Sequence, residues 1–264
     1  LAKTDAMLLA TTLVSQAALA RLYIHGRESK PVGNIWWWAF WLAIGAGILI
    51  KGPITPLVAG LTLAGIAVFD KNLGWMRSLK PVSGMALLAV LVLPWFIAIS
   101  MKSGGAFWAE SVGKDMLGKV GAGAESHGAP PGYYVLTYAL YMWPFALIAL
   151  NGGLKALDRF REPKILFLFS WYVPLWLVLE ATPTKLPHYP LPAYPALLLI
   201  GAWALTADAG NTLPFKGWRL WLSRLTLFGL LVMTAAFALT AVAGVPFMTG
   251  EVSYAGFLAA AFAL

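Results

Sequence analysis

Apolar runs alternate with short charged segments along this chain. They fall at about 6–20, 35–50, 52–69, 81–101, 131–153, 165–181, 189–207 and 220–243, with a further run cut short from 252. Each approaches the roughly 20 residues that a helix needs to cross a hydrocarbon core about 30 Å thick. Helices are predicted rather than strands, because an open strand leaves its amides unsatisfied in lipid. The expected fold is all-α: a polytopic transmembrane helix bundle forming one domain over 1–264, with an extramembrane loop at about 102–132. The runs 35–50 and 52–69 meet at Lys51-Gly52-Pro53 and together are too long for one crossing, so a tight turn at one membrane face is expected there.

Composition agrees with that pattern. Of 264 residues 60% are hydrophobic and 11% are charged, against about 25% charged in a soluble domain, and mean hydropathy is +0.75. The net charge of +8 comes from basic residues scattered singly between apolar runs. Such scatter forms no nucleic-acid stripe, and membrane topology accounts for it better. Thirteen of the nineteen Lys and Arg residues fall in alternate loops, around Arg21–Lys30, Lys71–Lys80, Lys155–Lys164 and Lys216–Arg224. The positive-inside rule makes those loops cytoplasmic, which leaves Lys3, Lys51, Lys102, Lys114, Lys119 and Lys185 on the outer side. The chain has no cysteine, so neither a disulfide framework nor a thiolate site is available. It opens on Leu1 and stops within an apolar run, and is expected to be a piece of a longer protein, truncated at both ends.

The unusual chemistry collects on the outer side. In the stretch TPTKLPHYPLPAYP, residues 182–195, five prolines exclude a regular helix. A rigid elbow is expected, carrying Lys185, His188 and Tyr189, and in lipid such backbone survives only at the interface or around a watery cavity. A cation and an imidazole fixed there predict a site for an anion. Lys51 either snorkels to the interface or, aimed by Gly52 and Pro53, contacts a phosphate. Asp5 suits the N-cap of the first helix, and an acidic residue at the mouth of a span is also a candidate for function. His127 and His188 both lie in proline-rich turns among tyrosines, which serves packing or ligand binding alike, and no second metal ligand stands at fixed spacing. Glu180 is expected to pair with a cation.

In the long loop, Phe107, Trp108, Val112, Met116 and Leu117 recur at helical spacing, predicting an amphipathic helix in the interface. Gly118, Gly121 and Gly123 then loosen the chain before the Pro130-Pro131-Gly132 turn. The segment is read either as a lid over a lipid substrate or as a solvated connector.

Four elements together carry a family resemblance. TDAMLLA near the start, Ile50-Lys51-Gly52-Pro53, His127 followed by Pro130 to Tyr134, and above all Thr184 to Pro192 (TKLPHYPLP) resemble the bacterial polyprenyl-phosphate sugar transferases. These are the lipid A aminoarabinose transferases and their relatives in the protein O-mannosyltransferase superfamily, which have the GT-C membrane fold. The resemblance reaches to about residue 208. It implies an inverting transferase that moves a sugar from a polyprenyl-phosphate donor to a glycolipid or protein hydroxyl, at the outer face of a bacterial inner membrane. It makes Asp5 the catalytic carboxylate available in this chain, at a second acidic position; the usual base would lie in an outer loop upstream of Leu1. Lys51, His127, Tyr133, Tyr134, Lys185 and His188 match positions that face the donor phosphate or line its cavity, and Tyr189 joins them as substrate-binding. No required cofactor is readable, and a divalent metal, carried by some relatives near the histidine, has no placeable ligands here.

General chemistry is consistent with that expectation. A sugar phosphodiester already has a good leaving group, so transfer needs a carboxylate to take the acceptor proton and cations to stabilise the departing phosphate. The competing readings are a lipid or lipid-linked sugar flippase, which would place ionisable residues at mid-span, and a non-catalytic scaffold of the cell envelope.

Overall fold

The computed structural model describes residues 2–108, 110, 128–207 and 215–249. Among these residues the regular structure is helical. It consists of α1 (Ala2–Arg27), α2 (Asn34–Lys51), α3 (Ile54–Phe69), a 3-10 helix (Gly74–Leu79), α4 (Pro81–Ser103), the short α5 (Ala106–Trp108), α6 (Tyr133–Tyr141), α7 (Ala146–Ala156), a second 3-10 helix (Leu157–Arg159), α8 (Pro163–Ala181), α9 (Tyr194–Ala207) and α10 (Gly217–Thr249). Five helical stretches are long and apolar enough to cross a membrane: Thr4–Arg27, Asn34–Lys51, Gly74–Ser103, Pro163–Ala181 and Gly217–Ala243. Ile54–Phe69 and Tyr194–Thr206 are apolar but shorter.

The predicted turn after residue 50 forms as expected. Gly52 takes φ 65°, a conformation that costs glycine little, and its amide closes α2 on the carbonyl of Ile48. Pro53, with no amide to satisfy, then opens α3. Two expected runs come out differently. The run 131–153 is broken between α6 and α7 at residues 142–145, because Pro144 has no amide to continue the helical ladder. The run 189–207 is helical only from Tyr194, since the prolines before it hold the chain in successive turns, with Tyr189 N–H donating to Leu186, Leu191 to His188 and Ala193 to Pro190. Apart from Phe107 and Trp108 on α5, the expected amphipathic helix of the long loop lies outside the described residues, as do His127 and the run from 252.

Two compact units divide the chain. The first comprises Leu1–Tyr134 and Arg159–Leu197. Its core gathers Leu19, Leu22 and Tyr23 of α1, Phe40, Trp41 and Ile44 of α2, Val58 and Ile66 of α3, and Phe167, Trp171 and Leu175 of α8. Small residues let these helices approach closely. A Cβ added at Gly65 of α3 would lie 2.8 Å from that of Ser170 on α8. At one end of this bundle Tyr23 donates to Asp70 at 2.7 Å and Arg27 pairs with the same carboxylate. At the first turn of α3, the hydroxyls of Thr11 and Thr12 meet that of Thr55. Asp5 and Lys51 occupy the opposite end.

The second unit comprises Val135–Asp158 and Leu198–Leu264. Within it α7 and α9 come into backbone contact at Gly152 and Gly201. Arg219 at the start of α10 grips Asp158 through two hydrogen bonds of 2.8 Å. Asp158 lies outside the spans, and its carboxyl is held below the usual carboxylate range by the Arg219 guanidinium.

Candidate active site

Asp5, Lys51 and His188 converge at one end of the first unit. Asp5 lies in the first turn of α1, which begins at Ala2, so it is not the N-cap that its position implied. Its carboxylate is instead paired with the ammonium of Lys51, the last residue of α2. On the far oxygen of the same carboxylate, His188 Nε2 stands at 4.0 Å. Local folding explains each placement. The turn at Gly52 stops α2 with Lys51 at its rim, and the proline-stiffened elbow carries His188 across to α1. The Lys51 side chain is 36% exposed and that of Asp5 17%, so the carboxylate sits behind the cation. Lys51 gives one of its three ammonium hydrogens to Asp5. It therefore keeps donor capacity toward solvent, beside a 35% exposed imidazole.

The other expected residues divide into two groups. Tyr189 packs its ring against His188, with centroids 5.2 Å apart, and Tyr133 is half-buried against Tyr134 at 5.1 Å. Tyr134 and Lys185 are turned into the fold, at 1% and 4% exposure. The ammonium of Lys185 donates to the carbonyls of Leu179 at 3.2 Å, Glu180 at 2.7 Å and Thr182 at 2.6 Å. All three of its hydrogens are thus engaged by carbonyls at the end of α8. Tyr134 donates its hydroxyl to Leu186 at 3.1 Å.

Glu180, expected to pair with a cation, gives its carboxylate oxygens to the amides of Gly132 and Tyr134. Nothing local in the sequence announces that contact, because the partners lie 48 and 46 residues away. The role of Lys185 was more accessible. A lysine a few residues past a helix terminus is a familiar partner for the last carbonyls. No group of three or more His, Asp or Glu residues that could hold a metal ion occurs among the described residues.

The run of apolar helices defines a polytopic, all-α membrane protein, with a lysine–carboxylate–imidazole cluster at one end of its first unit. The particular likeness is to ArnT. The crystal structure of ArnT from Cupriavidus metallidurans in the apo state matches with a TM-score of 0.67 at 20% identity, covering 98% of this chain and 44% of that one. The same protein bound to undecaprenyl phosphate matches with a TM-score of 0.65 over 98% and 43%. Among curated relatives, the undecaprenyl phosphate-alpha-4-amino-4-deoxy-L-arabinose arabinosyl transferase of Serratia proteamaculans is 25% identical over 191 residues, 71% of this chain and 34% of its own length. The transferase of the same name from Yersinia enterocolitica is 26% identical over 177 residues, 66% and 31%. No family profile matches the chain. This chain thus spans about a third of the curated relatives it matches. The resemblance carried by TKLPHYPLP and its companion motifs is borne out, and so is the all-α membrane fold.

Proposed function

We propose that the chain is the part of a membrane glycosyltransferase that holds the phosphate of a polyprenyl-phosphate-linked sugar while the sugar passes to a lipid acceptor at the extracytoplasmic face. The observation that carries this reading is the exposed ammonium of Lys51, backed by Asp5 and flanked by His188, in a fold shared with a protein crystallised with undecaprenyl phosphate. In the transfer, the bond between the anomeric carbon and the phosphate oxygen breaks and a bond to the acceptor hydroxyl forms. The hydroxyl proton goes to a carboxylate and the polyprenyl phosphate leaves with one more negative charge. Lys51 stabilises that added charge at the moment it develops, which is where electrostatic catalysis acts. Asp5 fixes the ammonium in place, His188 faces the same carboxylate, and Tyr133 and Tyr189 supply aromatic walls.

The names of the relatives point to an amino-arabinose donor, and the sequence resemblance points to lipid A as acceptor. The thirteen basic residues of the alternate loops support a cytoplasmic opposite face. The test incubates the full-length protein in lipid vesicles with a polyprenyl-phosphate sugar and lipid A. A mass increase of one sugar residue on the lipid is expected, and its absence with every polyprenyl-phosphate sugar offered would refute the reading.

A further inference from the structure

Glu180 and Lys185 take no part in the chemistry just described, yet each places a charge on a helix end. The last carbonyls of α8 have no partners within the helix, and Lys185 folds back to satisfy three carbonyls around that end, setting a positive charge at the negative pole of the helix. From the last turn of the same helix, the Glu180 side chain crosses to the start of α6. There Oε2 accepts from Gly132 N–H at 2.8 Å and Oε1 from Tyr134 N–H at 3.0 Å, a negative charge at a positive pole. Tyr134 lies between the two. Its ring centroid is 5.8 Å from the Lys185 ammonium, and its hydroxyl bonds to Leu186. Backbone contacts continue the join, with Gly128 bridged to Thr184 and the Ala129 amide donating to Pro183 at 3.3 Å. Two residues beyond Leu186 comes His188, which faces Asp5 from the elbow.

We propose that Glu180 and Lys185 are positioning residues that fasten segment 128–134 to the elbow and thereby hold His188 opposite Asp5. This inference rests on the transferase reading for its effect on turnover, but not for the fastening itself. Lys185 then acts through the elbow and not on the donor phosphate. Loss of either charge lets the elbow drift, so the imidazole is misplaced while Lys51 still meets the phosphate.

The test uses the full-length protein in lipid nanodiscs, with Glu180→Gln, Lys185→Met and Lys185→Arg. Amide hydrogen exchange in 128–134 and 183–189 is expected to rise about tenfold in the first two variants, as loss of a hydrogen bond to a charged group implies. Turnover should fall by at least about tenfold, while affinity for undecaprenyl phosphate changes by less than about threefold, the split expected when a group acts on geometry and not on binding. Lys185→Arg, which still reaches the carbonyls, should restore most of the turnover. Unchanged exchange in both segments overturns the proposal. So does loss of undecaprenyl phosphate binding in Lys185→Met with exchange unchanged, because that would make Lys185 a phosphate ligand. Exchange decides the fastening even if the unaltered protein moves no sugar, in which case the transferase reading falls separately.

Discussion

Replacing Lys51 with alanine separates the phosphate-binding role from a merely structural one. The ammonium has one hydrogen committed to Asp5 and two that a phosphate oxygen can take, on a side chain 36% exposed. A hydrogen bond to a charged partner is worth about 1.5–3 kcal/mol net. One such bond lost from the bound state weakens the dissociation constant by roughly 10- to 150-fold. The stability cost is smaller. Asp5 loses its partner but keeps some access to solvent and the nearby imidazole, so about 1 kcal/mol is expected from a partly exposed pair. The assay is equilibrium binding of undecaprenyl phosphate to the purified full-length protein in nanodiscs, with thermal unfolding in parallel. Lys51→Arg should retain binding to within a few-fold, since the guanidinium keeps the charge and can reach both carboxylate and phosphate. Asp5→Asn should preserve or tighten binding while lowering turnover, because the carboxylate competes with phosphate for the ammonium yet orients it. An unchanged dissociation constant for Lys51→Ala, with the protein still folded, would refute the assigned role.

Other substitutions test the packing that supports the site. Tyr23→Phe removes the hydroxyl that donates to the 7% exposed Asp70, and should cost about 1–3 kcal/mol; thermal unfolding in detergent at the wild-type temperature would contradict it. Gly152→Ala would set a Cβ 2.7 Å from the Gly201 Cα, forcing α7 and α9 apart. Overpacking of about 1–3 kcal/mol should exceed the roughly 1 kcal/mol that alanine gains over glycine in a helix, so unfolding should come at a lower temperature. Gly84→Ala would overlap the Trp41 indole, which also donates to Leu79 at 2.9 Å. Pairing it with Trp41→Leu should recover part of the lost stability, and strict additivity of the two changes would argue against the contact.

Much of the fold was legible because lipid solvation writes itself into local composition. The run 81–101 became α4 at Pro81–Ser103, and 165–181 became α8 at Pro163–Ala181, each opened by a proline whose missing amide costs nothing at a first turn. Hydropathy averages over breaks, so the interruption near Pro144 passed unseen within 131–153. At the site, the shared end of Asp5, Lys51 and His188 followed from span alternation alone. What escaped was direction. Whether Lys185 faces a substrate or its own helix terminus depends on where five prolines aim the chain, and neighbouring residue types do not encode that. The contact of Glu180 with Gly132 and Tyr134 escaped for a plainer reason, those amides being brought near by folding and not by spacing.

The two-residue joint at Gly52 and Pro53 gives Lys51 little freedom of depth. With α2 stopping and α3 starting almost at once, the backbone of Lys51 is held by two packed helices, and only its four-carbon side chain is left to reach. A lipid tethered by its tail diffuses laterally with its headgroup confined to a thin layer. On the proposed reading, a charge held at one end of the bundle turns the encounter with such a headgroup into a search over an area rather than a volume.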